Sequence, residues 1–390
     1  MVKALQFGIV AGEKSGDILG ASLICSLRKQ FPNAKFIGIG GPEMLSLGCE
    51  SLAPMDRLSV MGFVEPLGRL PELFNLKRKL QDRFLRERID VFIGIDSPDF
   101  NLRLAKTLRK KGLKTVHFVS PSVWAYRKSR IHSIKKSVDL MLTLFPFESE
   151  IYENNDIPVA FVGHPLADLI GFEDRRSPAR QLYGFSEDNK VIALMPGSRA
   201  GEISRLAPIF YEAAIHSLQK YPDLEFLIPY SDTKAKSLLS LQLNQVKMPL
   251  KEKFNLVNNS HEAISASDFV IMASGTATLE AMLLRRPMII CYKLAPLSFI
   301  IGSYLLKIPY IGLPNLLLGQ KIVPEYIQKS VTPNALSKEI DIFLNAPNSY
   351  QDMEESFYGI HKLLRGGASD KAAVAIKNLM NKNKYNSKGK

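Results

Sequence analysis

Short apolar runs rich in Val, Ile and Phe alternate along the chain with longer stretches that carry apolar residues at helical spacing. The runs LQFGIVAG, VFIGID and VIALMPG are almost continuously apolar, which is typical of strands buried on both faces of a parallel sheet. The segments 17–30 and 101–111 have the period of amphipathic helices. This regular alternation predicts an α/β fold with parallel sheets.

The pattern is interrupted near residue 172. Residues 171–184 read GFEDRRSPARQLYG, and a new series of apolar runs begins after them. A length of 390 residues also exceeds the size at which one hydrophobic core continues to grow. We therefore predict a Rossmann-like domain at 1–172, a second at 173–365, and a C-terminal helix with a basic tail at 366–390. Two such domains are expected to face each other across a cleft.

The composition narrows the choice of partner and compartment. The formal net charge of +13 predicts attraction to nucleic acid, to nucleotide phosphates or to a membrane surface. Three widely spaced cysteines without a CxxC pair disfavour disulfides and zinc, and fit a reducing cytoplasm. The N-terminus reads as a strand rather than a secretion signal, and prolines break the most apolar region, 294–320. We therefore expect no membrane-spanning helix.

Chemistry is expected in the loops after the strands, because ligands bind at the carboxyl ends of the strands in open α/β sheets. AGEKSGD, at 11–17, has two glycines and opens a helix whose N–H groups could receive an anion, although a plain tight turn would look the same. GIDSPDFN, at 94–101, holds two acids. Asp99 is placed to N-cap the next helix, whereas Asp96, at the strand end, is the candidate for a general base.

The second half offers three loops with the residue types of a nucleotide-sugar site. The arginine of LMPGSRAGEI could grip a diphosphate with its forked donors, unless it is a simple surface residue. The acid after SGTAT could accept hydrogen bonds from a sugar diol, or could compensate a helix dipole. The loop LPNLLLGQ carries two amides that could touch the base or the sugar. The candidate residues are Ser198, Arg199, Ser274, Gly275, Thr276, Glu280, Asn315 and Gln320.

The sequence contains no Asp-x-Asp pair, no HExxH motif and no cluster of Cys and His, so neither a metal ion nor another cofactor is indicated. Two further motifs are less specific. One surrounds Trp124 and is rich in basic residues, and the other, VGHPLAD, contains His164, which we interpret as structural.

Taken together, these loops resemble the lipid-A-disaccharide synthase family of inverting GT-B glycosyltransferases. The resemblance runs from residue 11 to about 328 and rests on ordered motifs: AGEKSGD, MGFVEPLGRLPEL, GIDSPDFN, VSPSVWAYRKSRI, LFPFE, VGHPLAD, MPGSR, SGTATLE and PNLLLGQ. It implies two Rossmann-like domains, with the C-terminal helix returning to the first. It also implies transfer of 2,3-diacylglucosamine from UDP-2,3-diacylglucosamine to the 6-hydroxyl of 2,3-diacylglucosamine 1-phosphate, forming a β-1,6 link and UDP.

The matched motifs carry roles over to individual residues. Asp96 corresponds to the catalytic base, and Glu13 to a residue of the cleft. Arg199, Glu280 and Asn315 correspond to residues of the UDP site. One base is enough, because an α-linked donor that gives a β product needs a single displacement with inversion and no covalent intermediate.

The acyl chains of such substrates stay in a membrane, so the enzyme is expected to dock on the cytoplasmic face of the inner membrane. Residues 61–76 join an apolar cluster to a basic run at 77–79, as an interfacial anchor requires, but an internal helix with a solvated basic end would share this pattern. Anionic lipid is thus an expected partner, and a homodimer is an open alternative. The predicted membrane contacts are Met61, Phe63, Val64, Leu67, Leu70, Leu73 and Phe74.

Three competing interpretations stay open. Another GT-B enzyme acting on UDP-N-acetylglucosamine would share many of these loops. A nucleic-acid-binding protein would explain the charge, but base-stacking aromatics are sparse in the basic segment, so no nucleic-acid partner is expected. A membrane-binding module would explain residues 61–76 but not the nucleotide-type loops of the second half.

Overall fold

The computed structural model describes residues 4–58, 65–125, 129–246, 250–295 and 309–386. The chain forms two compact units, residues 1–168 with 364–390, and residues 169–363. Each unit holds a parallel sheet together with helices that connect its strands. The predicted α/β fold with two Rossmann-like halves is therefore confirmed.

A seven-stranded sheet forms the centre of the first unit. Its strands are β1 Gln6–Ala11, β2 Lys35–Ile39, β3 Glu50–Ser51, β4 Val91–Ile95, β5 Lys114–Phe118, β6 Leu140–Thr143 and β7 Val159–Phe161. They follow the order β3-β2-β1-β4-β5-β6-β7, and every neighbouring pair is parallel. The register places Phe7 beside Val91 and Ile93 beside Val116, and all four side chains are fully buried. Continuous apolar runs suit these strands because both faces of the sheet are covered.

The helices of the first unit supply the cover. They are α1 Lys14–Gln30, α2 Pro42–Ser46, α3 Glu65–Glu87, α4 Pro98–Lys110, α5 Arg130–Lys135, α6 Pro146–Glu153 and α7 Pro165–Leu169. On one face of the sheet Leu23 of α1 packs in the same apolar cluster as Phe7. On the other face Phe84 of α3 packs with Phe92, their ring centroids 5.8 Å apart.

The second unit repeats this plan with six strands. They are β8 Lys190–Met195, β9 Leu224–Pro229, β10 Phe254–Val257, β11 Phe269–Ala273, β12 Met288–Tyr292 and β13 Glu325–Ile327, in the parallel order β10-β9-β8-β11-β12-β13. Its helices are α8 Arg176–Leu182, α9 Ala200–Lys220, α10 Thr233–Leu243, α11 Ser260–Ala266, α12 Ala277–Leu283, α13 Leu313–Leu318, α14 Pro333–Asn345 and α15 Gln351–Leu364. The segment that begins at Leu313 was predicted to be a loop, and this was wrong because its first six residues form α13.

The polar stretch 171–184, which suggested the domain boundary near 172, lies within the second unit. It contains α8, whose Arg180 is fully buried. The Arg180 guanidinium donates to the carboxylate of Asp268 at 2.7 Å and to three backbone carbonyls. A buried charge is tolerated when it is paired and hydrogen-bonded in this way. The polar composition therefore reflects an internal ion pair rather than a linker.

The C-terminal helix α16, Ala368–Asn386, belongs to the first unit. Its Ala372, Ala373 and Ile376 are fully buried in the apolar cluster on the α1 side of the sheet. The predicted return of this helix to the first unit is confirmed.

Asp168 fixes the start of α16. One carboxylate oxygen accepts the N–H groups of Gly366 and Gly367 at 2.8 and 2.9 Å, and the other accepts that of Ala368 at 2.8 Å. Burial alone would raise the pKa of Asp168, but these three donors and Lys371 hold it below its usual value. The ionised carboxylate thus satisfies N–H groups that the first turn of a helix leaves without partners.

We predict that Asp168→Asn lowers the stability of the protein by about 1 kcal/mol at pH 7, as loss of a helix cap usually does. Because the folded pKa is depressed, the contribution is complete at neutral pH and is lost as the pH falls below about 4. Melting temperatures at pH 7 and pH 3 test this, with the exposed Asp188→Asn as control. An equal difference between wild type and variant at both pH values would contradict the proposed role of the charge.

Candidate active site

The carboxyl ends of β1 and β4 bring two predicted site residues to one edge of the first sheet. These strands are neighbours, with Ala11 beside Ile95, so the loops that carry Glu13 and Asp96 leave the sheet side by side. A Cβ atom on Gly12 would lie 2.3 Å from Oγ of Ser97. Glycine is therefore required where the two loops touch.

The turn that carries Asp96 has an uncommon backbone conformation. Asp96 and Ser97 have φ angles of 48° and 42°, in the left-handed region that residues other than glycine seldom adopt. The Asp96 N–H donates to the carbonyl of Phe118 at 2.9 Å, and the buried amide of Asn101 donates to the Asp96 carbonyl at 2.8 Å. Strained backbone of this kind persists only where the surroundings hold it, and it is concentrated at functional sites.

Asp96 itself has the properties expected of a general base. Its side chain is half-buried, and this burial raises its pKa although the N–H of Ser97 opposes the shift. A carboxylate that is partly removed from water binds a proton more readily than one at the surface. Glu13 is also half-buried and occupies the N-cap position of α1 with an extended backbone.

The predicted N-cap role of Asp99 is wrong. Helix α4 begins at Pro98, which places Ser97 at the N-cap position and Asp99 inside the first turn. The exposed Asp99 carboxylate instead accepts a hydrogen bond from the guanidinium of Arg130 on α5. Pro98 was the available signal, since proline favours the first position of a helix.

In the second unit the loop after β8 presents Ser198 and Arg199, both exposed, at the start of the 21-residue helix α9. Gly197 precedes them with a φ of 112°, and a Cβ atom there would lie 2.6 Å from Oε2 of Glu202. The Arg199 guanidinium is 80% exposed and lies 3.1 Å from Oε1 of Glu202. Exposed N–H groups and a positive side chain at a helix N-terminus favour an anion.

The neighbouring strand β11 leads into the second predicted loop. Ser274 is half-buried and donates its hydroxyl to the carbonyl of Ile311 at 3.1 Å, whereas Gly275 and Thr276 are exposed. A side chain at Gly275 would meet no atom of the described residues within 4 Å, so the backbone is open to a ligand.

Glu280 lies in α12, which follows this loop, and it is held from one side. Its Oε1 atom is 3.2 Å from Nδ1 of His261, and its Oε2 atom is 3.4 Å from the hydroxyl of Ser260. Both partners come from the first turn of α11. His261 and Ser260 were missed by the sequence analysis, because their proximity to Glu280 depends on how α11 packs.

Asn315 and Gln320 differ in their exposure to solvent. Gln320 is exposed, whereas Asn315 is fully buried in α13. The Asn315 amide donates to the carbonyl of Val323 and to the Glu325 carboxylate, both at 2.8 Å, and its oxygen accepts two backbone N–H groups. These four bonds use the full capacity of the amide. In this structure Asn315 positions the chain after β12, and its assignment to the UDP site stays a prediction.

Comparisons with known proteins identify the family. The family model of lipid-A-disaccharide synthetase matches residues 7–377. The chain is 47% identical over 378 residues to the lipid-A-disaccharide synthase of Cellvibrio japonicus, covering 96% of this chain and 97% of the relative. It is 46% identical to that of Pseudomonas syringae pv. tomato, covering 97% and 98%. This chain belongs to the lipid-A-disaccharide synthetase family.

A lipid-A-disaccharide synthetase is a glycosyltransferase, so the enzyme class and the reaction expected from the sequence, formation of the lipid A disaccharide, are confirmed. Solved structures agree on the fold. The S. aureus MnaA–UDP co-structure has a TM-score of 0.66 at 14% identity and covers 97% of each chain. MurG of Acinetobacter baumannii has a TM-score of 0.56 at 12% identity, covering 96% of this chain and 100% of its own. At these identities the likeness shows the GT-B fold alone.

The segment predicted to contact membrane in this synthetase is described only in part. Met61, Phe63 and Val64 lie outside the described residues, and the side chains of Leu67 and Leu70 do as well. Leu73 is partly buried and packs against the core cluster that contains Leu76 and Phe84, so its contact with membrane stays a prediction. Phe74, in contrast, is 50% exposed. Helix α3 thus has a stripe that faces the core, as an internal helix would, and an exposed face. Docking on a membrane through that exposed face stays a prediction.

No described helix is long and apolar enough to cross a membrane. Among the described residues, no three His, Cys, Asp or Glu side chains are grouped so that they could hold a metal ion.

Proposed function

We propose that this enzyme transfers 2,3-diacylglucosamine from UDP-2,3-diacylglucosamine to the 6-hydroxyl of 2,3-diacylglucosamine 1-phosphate, giving the β-1,6-linked disaccharide and UDP. The observation that carries the proposal is the half-buried Asp96 carboxyl, held on a left-handed turn at the carboxyl edge of the first sheet. Incubation with both acylated substrates, followed by mass analysis of the products, tests it.

Asp96 acts as the general base in this proposal. Its carboxylate takes the proton of the acceptor 6-hydroxyl while that oxygen bonds to the anomeric carbon of the donor. The bond from this carbon to the diphosphate oxygen breaks in the same displacement, and UDP leaves. General base assistance of this kind contributes about 10² to 10⁴ in rate.

The loops of the second unit bind UDP in this proposal. Ser198, Arg199 and the N-terminus of α9 receive the diphosphate, where they also stabilise the charge that develops on the leaving group. Glu280 accepts hydrogen bonds from the ribose diol, and His261 orients its carboxylate from the opposite side. Gly275 and Thr276 offer exposed backbone beside them.

The alternative is a GT-B enzyme that acts on UDP-N-acetylglucosamine. The solved structures with similar folds include a UDP-N-acetylglucosamine 2-epimerase from Neisseria meningitidis bound to that nucleotide sugar. Its identity of 14% carries the fold and not the substrate. Comparing turnover of acylated and unacylated donors separates the two, since the alternative predicts that an unacylated donor reacts at least as well.

We further propose that the enzyme docks on the anionic cytoplasmic face of the inner membrane through the exposed face of α3. Phe74 is half-exposed there, and the Nζ atom of Lys77 lies 5.9 Å from the centre of its ring. Arg78 and Lys79 are exposed in the next turn. An aromatic ring beside lysines is suited to the boundary between headgroups and acyl chains.

We predict that Asp96→Asn lowers turnover by more than about a hundredfold, because the amide cannot take the proton. UDP affinity, measured by calorimetry, should stay near that of the wild type. Asp99→Asn is the matched control, since it removes a nearby carboxylate that is exposed and paired with Arg130. Loss of turnover in Asp99→Asn with activity retained in Asp96→Asn would reverse the assignment.

We predict that Arg199→Ala and Glu280→Ala each weaken UDP binding by about tenfold or more. A charged hydrogen bond lost at a desolvated site costs about 1.5 to 3 kcal/mol. Calorimetry with UDP alone measures the effect, with the exposed Lys338→Ala and Glu355→Ala of the same unit as controls. Unchanged affinity in both site variants would exclude these loops from the UDP site.

We predict that the triple variant Phe74→Ser, Arg78→Ser, Lys79→Ser loses binding to anionic vesicles, with little change in melting temperature. Each basic residue near an anionic leaflet contributes about 1 kcal/mol, and salt weakens this attraction. Sedimentation with phosphatidylglycerol vesicles measures binding. The control is Leu241→Ser, which removes an apolar side chain that is 64% exposed in the second unit. Full vesicle binding by the triple variant would refute docking through α3.

A further inference from the structure

A second buried carboxyl lies at the same edge of the first sheet as Asp96. Glu148 is 4% exposed and occupies the first turn of α6, directly after β6. Its Oε2 atom accepts the N–H of Phe145 at 3.2 Å, as a carboxylate in a first helical turn often does. A cap of this kind works equally well at the surface, so the cap alone does not account for a carboxyl buried at this cost.

The remaining partners of Glu148 come from the loop after β5. The side chains of Ser120 and Trp124 and the N–H of Leu144 lie close enough to its carboxyl group to lower its pKa. The Ser120 hydroxyl also lies 2.7 Å from that of Tyr152, which is fully buried one turn further along α6. The contact between Ser120 and Tyr152 therefore ties the loop after β5 to the helix after β6, which also carries Glu148.

The tethered loop begins with a strained residue. Val119 has a φ of 79°, and a β-branched residue in this region is a genuine outlier. Its N–H donates to the carbonyl of Leu142 at 3.1 Å, while the preceding Phe118 carbonyl accepts the N–H of Asp96 at 2.9 Å. The strained residue thus follows directly on the one that holds the Asp96 turn. Strain at such a place needs contacts that hold it, and the next residue, Ser120, is held by the Tyr152 hydroxyl.

A series of aromatic rings begins in this loop with Trp124 and continues through residues that follow β6 and β7. Trp124 meets the edge of Phe147 at a centroid distance of 5.4 Å, Phe147 stacks on Phe145 at 5.8 Å, and Phe145 stacks on His164 at 5.4 Å. These rings are half-buried and follow the carboxyl ends of β5, β6 and β7. A shift of Trp124 would therefore move the loops at the carboxyl ends of β5, β6 and β7, and β5 is the strand next to the one that Asp96 follows.

The carboxyl group of Glu148 exchanges its proton near neutral pH. Burial raises the pKa of this carboxyl to about 7, against the lowering effect of the N–H groups of Phe145 and Leu144 and of the side chains of Ser120 and Trp124. Tyr152 faces it from the same helix, Arg130 of α5 acts on Tyr152, and His164 stacks on the neighbouring Phe145. Burial lowers the pKa of His164 to about 4, so this ring stays neutral while Glu148 titrates.

We propose that Glu148 is a positioning residue for the transfer reaction, which acts through Ser120 and Trp124 on the strained loop beside Asp96. The proposal rests on the function proposed above. Glu148 is not assigned contact with the substrate. Its role is to hold the loop beside Asp96, where the acceptor reacts in the proposed function. UDP binding belongs to the second unit.

The test compares Glu148→Gln with two milder changes, Ser120→Ala and Tyr152→Phe, and with the control Glu150→Gln, an exposed acid of the same helix. Glutamine keeps the size of the side chain but turns an NH₂ group toward donors. We expect kcat to fall by about tenfold to a hundredfold in Glu148→Gln, with a raised KM for the acceptor, because small displacements near a reacting centre have effects of that size. UDP affinity should stay within about twofold in all four variants, which is below the effect of one lost hydrogen bond.

The single tryptophan of the chain provides a direct signal. Trp124 is the only one in the sequence, so its fluorescence reports on this network alone. In the wild type we expect a titration step near pH 7, which Glu148→Gln abolishes and Asp96→Asn leaves intact. A merely structural role for Glu148 predicts that activity, UDP affinity and melting temperature fall together in Glu148→Gln and hardly change in Ser120→Ala.

Three results would overturn the inference. The first is a kcat within about twofold of wild type in folded Glu148→Gln, since a positioning role predicts a larger loss. The second is an unchanged kcat in both milder variants, and the third is a fluorescence titration that persists without the carboxyl. If the wild type itself forms no disaccharide, the proposed function fails and not only this inference, because the product assay on the wild type precedes the comparison.

Discussion

The buried amide of Asn101 is the interaction on which the first site depends. It donates to the carbonyls of Val10 and Ile95, at the ends of β1 and β4, and to that of Asp96 in the turn between β4 and α4. One side chain thus joins two strands and the left-handed turn. Without it the Asp96 carbonyl would lose this donor, and only the hydrogen bond from its N–H to Phe118 would be left to support the uncommon φ angle of Asp96. The position of the candidate base is therefore a property of the sheet edge rather than of a loop.

The two units use opposite physical solutions at the same type of edge. In the first, the carboxyl of Asp96, the candidate base, is half-buried, which raises its pKa, and hydrogen bonds hold the left-handed turn that carries it. In the second, Arg199 is exposed and the loop with Gly275 is open, so the site gains its full electrostatic strength only when a ligand excludes water. A base needs a set position before the reaction, whereas a diphosphate can order flexible charges as it binds.

The sequence predicted the strands, the two sheets and the edge loops because alternation of apolar and polar residues is a local signal. It offered Asp96 and Arg199 as candidate site residues because residues that directly follow a strand are placed by that strand. It could not reveal that Asn315 is saturated by its own unit, since hydrogen-bond partners depend on packing. The Asn101 amide likewise reaches Val10, 91 residues away. Local patterns therefore located the edge but not the side chains that hold it.

Two buried polar side chains at the first sheet, Asp17 and Asn101, share one task, which is to hold backbone that the strands leave free. Asp17 accepts the N–H groups of Gly41, Glu43 and Met44 at the start of α2, as Asn101 fixes the ends of β1 and β4. Asp17 and Asn101 act chiefly on backbone atoms, so their effect ends at the loop they hold. Glu148 differs because two of the groups that act on its charge are the side chains of Ser120 and Trp124, which contact the hydroxyl of Tyr152 and the ring of Phe147. A side-chain network can transmit a change in one proton over several residues, which a backbone cap cannot do. For this reason we assign to Glu148, rather than to Asp17 or Asn101, the link between the protonation of a side chain and the geometry of this sheet edge.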